Sequence, residues 1–296
     1  MSSTTIEQIN QTVEELFARL PELRAVRSPI YIPSRGRAET AIVPGLLDSA
    51  ELPYTMVVEP NDYSAYCNRF GKDNVLRIDA NDQGLAYSRN TILRDARERG
   101  YHRVWQLDDN IKSFRARINS RNIVTSPRHC FALIETVTNG ILNFGAAGLN
   151  ASVFAFSYDG KHGVQINRQV CSAMLVNTDT GLWFRSGVIE DTDFSLQLLR
   201  SGWSTLLFRR LCYDKPPTMS MSGGCTDVQY RDGNNYKFLR RLQELWPEAK
   251  FRIVDKHPRP AMAPSRIWMS YHHQPLWRPE RIKALDAGMG RSGNCR

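Results

Sequence analysis

The chain has 296 residues, of which 42% are hydrophobic, and a formal net charge of +9 at pH 7; this length suits one large α/β domain or two small ones. No segment is apolar enough to cross a membrane and no signal peptide opens the chain, so we expect a cytoplasmic protein without a membrane partner. The six cysteines form no CxxC pair and no zinc spacing, which excludes a disulfide framework and a zinc finger.

Apolar periodicity and turn residues predict alternating helices and strands. The first predicted helix is amphipathic and begins with a capping box at Thr4 and Glu7. Because strands that alternate with helices pair through right-handed crossovers, the pattern predicts an α/β fold with a mostly parallel open sheet flanked by helices. The predicted helices cover residues 4–20, about 38–49 and 84–100, and the predicted strands cover 29–33, 54–58, 75–78 and 104–107.

Each of the four predicted strands ends in polar or charged residues. Ligands of open α/β sheets bind beyond the carboxyl ends of the strands, so we expect these side chains to lie together as a nucleotide site. The residues that follow the strands are 34–37, Glu59, Asp79, and Asp108 with Asp109 and Asn110.

Asp108 and Asp109 are the most informative pair in this group. Two adjacent carboxylates repel each other unless a cation joins them, and hard oxygen ligands suit Mg²⁺ or Mn²⁺. A strand-end turn is the alternative, since Asp and Asn also favour turns and helix N-caps. The polar ends of the other strands favour the metal. An Asp109→Ala variant is expected to lose activity but to stay folded, because the motif lies at a solvent-facing sheet edge.

Four segments give the sequence a specific resemblance over roughly residues 28–224. They are PSRGR at 33–37, GLAYSRN at 84–90, LDDN at 107–110 and IEDTDFSLQLLRSGW at 189–203. The last two resemble GT-A-type glycosyltransferases. The first two resemble, within that fold, the TET/JBP-associated glycosyltransferases, a largely phage-borne group. The resemblance implies transfer from a nucleotide-diphosphate sugar, with a UDP-sugar as donor and a divalent metal (Mn²⁺ or Mg²⁺) bridging the diphosphate.

The resemblance also implies roles for individual residues. Asp108 should lie near the donor ribose, and Asp109 or Asn110 nearest the metal. Many members of the fold place a further metal-binding histidine where residues 213–224 have none, which leaves His257 as a weak candidate. Ordinary surface arginines are the alternative for the basic members of the donor site. The expected donor-binding residues are Pro33, Ser34, Arg35, Arg37, Glu59, Asp79, Arg89, Asn90 and Asp108.

Glu190 and Asp191 precede an amphipathic helix that ends at Gly202. In inverting GT-A enzymes this segment supplies the base that deprotonates the acceptor hydroxyl, so the resemblance places that role on Asp191, with Glu190 as the fallback. Acidic residues in a first helical turn also complement the helix dipole, and capping is therefore the alternative. Capping alone would not require Asp193 in addition to the pair, which favours the base.

Positive charge is concentrated towards the end of the chain. Residues 236–296 hold 13 Lys or Arg and 5 Asp or Glu, interspersed with Trp, Tyr and His, a composition typical of nucleic-acid surfaces. A second basic cluster follows the Asp-Asp-Asn motif. A solvated basic face with buried tryptophans is the alternative. The expected DNA-binding residues are Arg115, Arg117, Arg278 and Arg281.

These predictions divide the chain into an N-terminal amphipathic helix at 1–26, a GT-A-type catalytic domain at 27–235 and a basic, largely helical region at 236–296. The resemblance implies sugar addition to 5-hydroxymethylcytosine or a related base in phage DNA, in the infected bacterial host, beside a TET/JBP-like dioxygenase that makes the hydroxyl. Two alternatives stay open: transfer to a polysaccharide or protein hydroxyl, and a non-catalytic DNA-binding module on a glycosyltransferase scaffold. Retention of Asp108, Asp109 and Asp191 together argues against the second.

Overall fold

The computed structural model describes residues 6–141, 143–155, 163–217, 221, 223–224, 234–249, 252–255 and 267–270. The strands are β1 (Ile30–Pro33), β2 (Thr55–Val58), β3 (Val75–Arg77), β4 (Arg103–Leu107), β5 (Ser113–Ile118), β6 (Arg121–Thr125), β7 (Phe144–Ala151), β8 (Val164–Ile166), β9 (Ala173–Asn177), β10 (Ser204–Asp214), β11 (Arg252–Asp255) and β12 (Ile267–Ser270). The helices are α1 (Ile6–Ala18), α2 (Val43–Asp48), α3 (Tyr63–Phe70), α4 (Leu85–Glu98), α5 (Pro127–Thr138), α6 (Ser152–Ala155), α7 (Glu190–Arg200) and α8 (Asn234–Leu245). Within these ranges no helix is long and apolar enough to span a membrane.

One sheet of ten strands organises the chain, in the order β3-β2-β1-β4-β9-β7-β10-β5-β6, with β8 paired to β10. The strands β3, β2, β1 and β4 are parallel neighbours, and β7 is parallel to β10. Between these two parallel sets lies β9, which is antiparallel to both β4 and β7. The two sets therefore run in the same direction, and the prediction of a mostly parallel sheet flanked by helices is confirmed.

Helices cover both faces of the sheet. Ile30 and Ile32 of β1 belong to the apolar cluster beneath α1, α2, α3 and α5, whereas Tyr31 between them belongs to the cluster beneath α4 and α7. Trp105 of β4 stacks on Phe131 of α5, with 4.2 Å between the ring centroids. Burying each large apolar side chain contributes roughly 1.5–3 kcal/mol. The sheet is thus packed against helices on both faces, and this packing positions the ends of its strands.

The helix after β1 begins later than predicted, at Val43 instead of about residue 38. The N–H groups of Ile42 and Val43 both donate to the backbone carbonyl of Asp109, over 2.8 Å and 3.2 Å. This contact ties the start of α2 to the end of β4, so the residues before it form turns. The segment after β1 is therefore positioned by the neighbouring strand.

The described part of residues 236–296 contains both helix and strand. Residues of α8 pack on α7 through an apolar cluster that includes Leu242 and Trp246. Strands β11 and β12 pair with each other in antiparallel fashion, as a separate two-stranded sheet. The sequence predicted a largely helical region, whereas its described part contains one α-helix and one pair of strands. The rest of 236–296 lies outside the described residues.

Candidate functional site

A cavity of about 370 Å³ lies beyond the carboxyl ends of β1, β2 and β4, beside the first turn of α7. This volume is within the range of small-molecule sites. Its position is the one expected for a ligand of an open α/β sheet. The predicted residues that line it are Pro33, Ser34, Arg35, Arg37, Glu59, Arg89, Asp108, Asp109, Asn110, Glu190 and Asp191.

The turn at 34–37 is held in place by Asp109. Ser34 Oγ donates to Asp109 Oδ2 over 2.6 Å, and Arg37 Nη1 donates to Asp109 Oδ1 over 2.7 Å. The Arg37 and Asp109 side chains are only 8% and 6% exposed, so this ion pair is buried. Burial raises the pKa of Asp109, although Arg37 and Ser34 oppose the shift. Gly36, at φ +63°, adopts the left-handed conformation that the turn requires.

Asp108 is bound by two cationic side chains. Its Oδ1 accepts a hydrogen bond from Arg89 Nη2 over 3.0 Å, and its Oδ2 accepts one from Lys215 Nζ over 2.5 Å. Burial raises the pKa of Asp108, but the charges of Lys215 and Arg89 and the hydrogen bonds to Asp108 together lower it by more, and the net shift is downward. Asp108 is therefore an anion at neutral pH. Arg89 is 1% exposed and also donates to Gln106, so it organises the cavity wall.

Glu190 and Asp191 form the first turn of α7 at the cavity wall. Asp191 Oδ1 accepts hydrogen bonds from the Thr192 backbone N–H over 2.6 Å and from Gln169 Nε2 over 3.2 Å. The N-cap position is Ile189, which makes no side-chain capping bond, whereas Asp191 accepts a backbone N–H of the first turn, so stabilisation of the helix start stays the alternative to a base. Burial raises the pKa of both carboxyls, and at Glu190 the charge of Asp191 adds to the shift. Adjacent carboxyls with raised pKa values in a cavity suit proton transfer.

A Glu190→Gln variant should make stability less sensitive to pH. Burial, followed by the charge of Asp191, raises the pKa of Glu190 from 4.5 to about 7. Folding therefore favours the protonated carboxyl, and this contribution is complete below the unfolded pKa of 4.5 and is lost as pH rises through about 7. Glutamine is neutral throughout. Melting temperatures at about pH 5 and about pH 8 should differ by less in the variant than in the wild type, by roughly 2–4 °C for each kcal/mol removed. An equal difference in both proteins would contradict the raised pKa.

The oxygens that a divalent metal needs are largely engaged by protein groups. Both carboxylate oxygens of Asp108 bind cations, and both of Asp109 bind Arg37 and Ser34. Asn110 Oδ1 is buried without a hydrogen-bond partner in the described part of the chain. That part contains no group of three or more His, Cys, Asp or Glu able to hold a metal. The described residues do not fit the expected metal site, and His257 lies outside them.

Two of the expected donor-binding residues, Asp79 and Asn90, lie outside the cavity. Asp79 is 74% exposed and pairs with Arg94 over 3.3 Å. Asn90 Nδ2 donates to the Phe184 carbonyl over 2.9 Å, and the Phe184 N–H donates back to Asn90 Oδ1 over 2.8 Å. Asn90 thus joins α4 to the segment before α7, a structural position.

The expected DNA-binding residues are only partly described. Arg115 and Arg117 lie on β5, where Arg115 forms an ion pair with Asp214 and Arg117 donates to Asn122 Oδ1 over 3.1 Å. Arg278 and Arg281 lie outside the described residues. The structure therefore gives Arg115 and Arg117 partners within the sheet.

Lys215 and Arg185 line the cavity but escape sequence analysis. Lys215 directly follows β10, and its position after a strand end is the signal that could have pointed to it. Arg185 lies before α7 and pairs with the fully buried Asp193 over 3.2 Å. The partners of the two cations, Asp108 for Lys215 and Asp193 for Arg185, are recognisable only in the folded chain.

Among known proteins, a family model and a solved structure match this chain over most of its length. A comparison with curated proteins finds no match. Similar solved structures include a protein from Desulfovibrio desulfuricans G20 assigned as a nucleotide-diphospho-sugar transferase, 13% identical, with a TM-score of 0.38 and with 76% of this chain and 98% of that chain covered. The model of the TET-associated glycosyltransferase family matches residues 28–224. This match spans well over half of the chain, which therefore belongs to the TET-associated glycosyltransferase family.

Proposed function

We propose that this glycosyltransferase moves a sugar from a UDP-sugar to the hydroxyl of 5-hydroxymethylcytosine, or a related hydroxymethylated pyrimidine, in phage DNA. One observation supports the sugar donor in this proposal: basic and acidic side chains line the same cavity. Arg35, Arg185 and Lys215 offer positive charge for a diphosphate, and Glu190 and Asp191 offer carboxylates for the acceptor. The DNA half is supported by the family and by the basic composition of residues 236–296.

The proposed reaction is a single displacement at the anomeric carbon of the sugar. Asp191 accepts the proton of the acceptor hydroxyl, whose oxygen forms the new bond to the anomeric carbon. The bond from that carbon to the diphosphate breaks, and its electron pair stays on the diphosphate. The transition state has oxocarbenium character, so cations beside the diphosphate lower the barrier. The reaction inverts the anomeric configuration.

The metal expected from the sequence would supply Lewis-acid stabilisation of the departing diphosphate. The described residues do not fit that metal, so no step of the proposed reaction depends on it.

Two further proposals concern the origin of the acceptor hydroxyl and the cell in which the enzyme acts. A TET/JBP-like dioxygenase would supply the acceptor hydroxyl, and the infected bacterial host would be the location.

The acceptor is tested with a panel of nucleotide sugars and with DNA that contains 5-hydroxymethylcytosine, using unmodified DNA as the control. Nucleoside mass spectrometry should show a hexose on the hydroxymethylated base and none on unmodified cytosine. Product on a polysaccharide or protein hydroxyl would favour the first alternative. DNA binding without any transfer would favour the non-catalytic module.

DNA binding should weaken steeply with salt, because each neutralised phosphate releases counterions. Reversing Arg278 and Arg281 to Glu should weaken DNA binding while nucleotide binding stays nearly unchanged, since the described residues that line the cavity come from other segments of the chain. Acceptor affinity against salt, measured for the wild type and the double variant, checks this. Salt-independent binding, or equal affinities of both proteins for DNA, would contradict the DNA surface.

A further inference from the structure

Lys215 lines the cavity beside Asp108, the first residue of the Asp-Asp-Asn motif. It follows the last residue of β10, and the two prolines after it, Pro216 and Pro217, restrict the backbone. Its Nζ lies 2.5 Å from Asp108 Oδ2 and 3.2 Å from Ser172 Oγ. The ammonium is thus fixed at the edge of the sheet beside the predicted metal motif.

The same contacts oppose a divalent metal at this position. A metal at Asp108 would lie beside the Lys215 and Arg89 side chains, whose positive charges would repel it. Asp109 would have to leave a buried ion pair with Arg37. Among the described residues, the motif leaves only the amide oxygen of Asn110 without a hydrogen bond, and a single neutral oxygen is a poor site for a hard cation.

Lys215 has the properties that a diphosphate ligand needs. An ammonium has three N–H donors, and two of them have partners within the described residues. The side chain is 29% exposed at the cavity, so an anion can reach it. The Lys215 ammonium forms an ion pair with the Asp108 carboxylate over 2.5 Å, which holds its positive charge at the cavity wall.

We propose that the Lys215 ammonium, held by Asp108, binds the donor diphosphate directly and makes transfer independent of a divalent metal. The inference rests on the proposed donor. When the bond from the anomeric carbon breaks, its electron pair passes to the diphosphate oxygen, and Lys215 keeps its proton and stabilises the new charge through an N–H···O bond. Arg35 and Arg185 line the same cavity. Each is also paired with a carboxylate, Arg35 with Glu59 and Arg185 with Asp193, so Lys215 is the cation on which the proposal rests.

The test measures the binding of UDP and of inorganic pyrophosphate by calorimetry. Each probe is measured once in excess EDTA and once with Mn²⁺ in place of EDTA. Wild-type protein should bind both probes in EDTA, and Mn²⁺ should change the affinity by no more than a few-fold. Lys215→Ala should weaken binding by about 10–100-fold, the usual effect of losing a hydrogen bond to a charged group. Lys72→Ala is the matched control, because Lys72 is exposed and outside the cavity.

Two results would overturn the inference: binding that requires Mn²⁺, or wild-type affinity in folded Lys215→Ala. The wild-type comparison of EDTA with Mn²⁺ needs no variant, so it remains decisive even if Lys215→Ala does not fold. Failure of the proposed acceptor is a separate outcome. In that case no DNA is glycosylated, yet the probes still bind in EDTA and still depend on Lys215. Where transfer is observed, its rate in EDTA should match the rate with Mn²⁺ within a few-fold.

Discussion

An Asp191→Asn variant should transfer sugar about 10²–10⁴ times more slowly than the wild type, the usual range for a positioned general base. Asparagine keeps the size of the side chain and the Oδ1 atom that accepts from Thr192 and Gln169, but it takes up no proton at neutral pH. UDP affinity should stay nearly unchanged, because Asp191 acts on the acceptor. Single-turnover rates and calorimetry measure the two quantities separately.

Glu190→Gln tells the two carboxylates apart. If Asp191 is the base, Glu190→Gln should slow transfer less than Asp191→Asn does. If Glu190 is the base instead, Glu190→Gln should slow transfer more. Asp73→Asn is a matched control for the loss of a carboxylate, since Asp73 is exposed and outside the cavity. A folded Asp191→Asn protein within a few-fold of the wild-type rate would mean that Asp191 only stabilises the start of α7.

The part of the fold that was predictable from the sequence is the part governed by local pattern. Apolar runs predicted β1, β2, β3 and β4, and the rule for parallel strand ends placed the polar residues after β1, β2 and β4 around one cavity. Asp79, after β3, lies outside that cavity. The antiparallel strand β9, which separates the two parallel sets, depends on pairing between distant segments. The late start of α2 likewise depends on its contact with the end of β4.

The chemistry of the site was predictable by residue type and less so by contact. Asp108 and Asp109 lie in the cavity, but their partners are distant in sequence: Arg37 is 72 residues from Asp109, and Lys215 is 107 residues from Asp108. Sequence spacing does not reveal such pairs. It is the pairs that decide whether a carboxylate is available to a metal or is held inside the protein.

Asp109→Ala shows the consequence of these pairs most sharply. The sequence predicts that this variant stays folded because the motif borders solvent, whereas the Asp109 side chain is only 6% exposed and binds both Arg37 and Ser34. Removing one partner of a buried ion pair costs roughly 3–5 kcal/mol. We therefore expect Asp109→Ala to lower the free energy of unfolding by that amount. Denaturant unfolding monitored by circular dichroism measures the loss.

A double-mutant cycle separates the ion pair from the space that it fills. Arg37→Met should destabilise the protein as Asp109→Leu does, since each leaves a charge without this partner. The double variant should lose less than the sum of the two, because apolar residues of similar volume often replace a buried ion pair at little cost. Additive losses, or an Asp109→Ala protein as stable as the wild type, would show that the ion pair with Arg37 does not stabilise the protein. Asp109 would then be available to bind a ligand. In that case the metal site expected from the sequence would regain its strongest candidate.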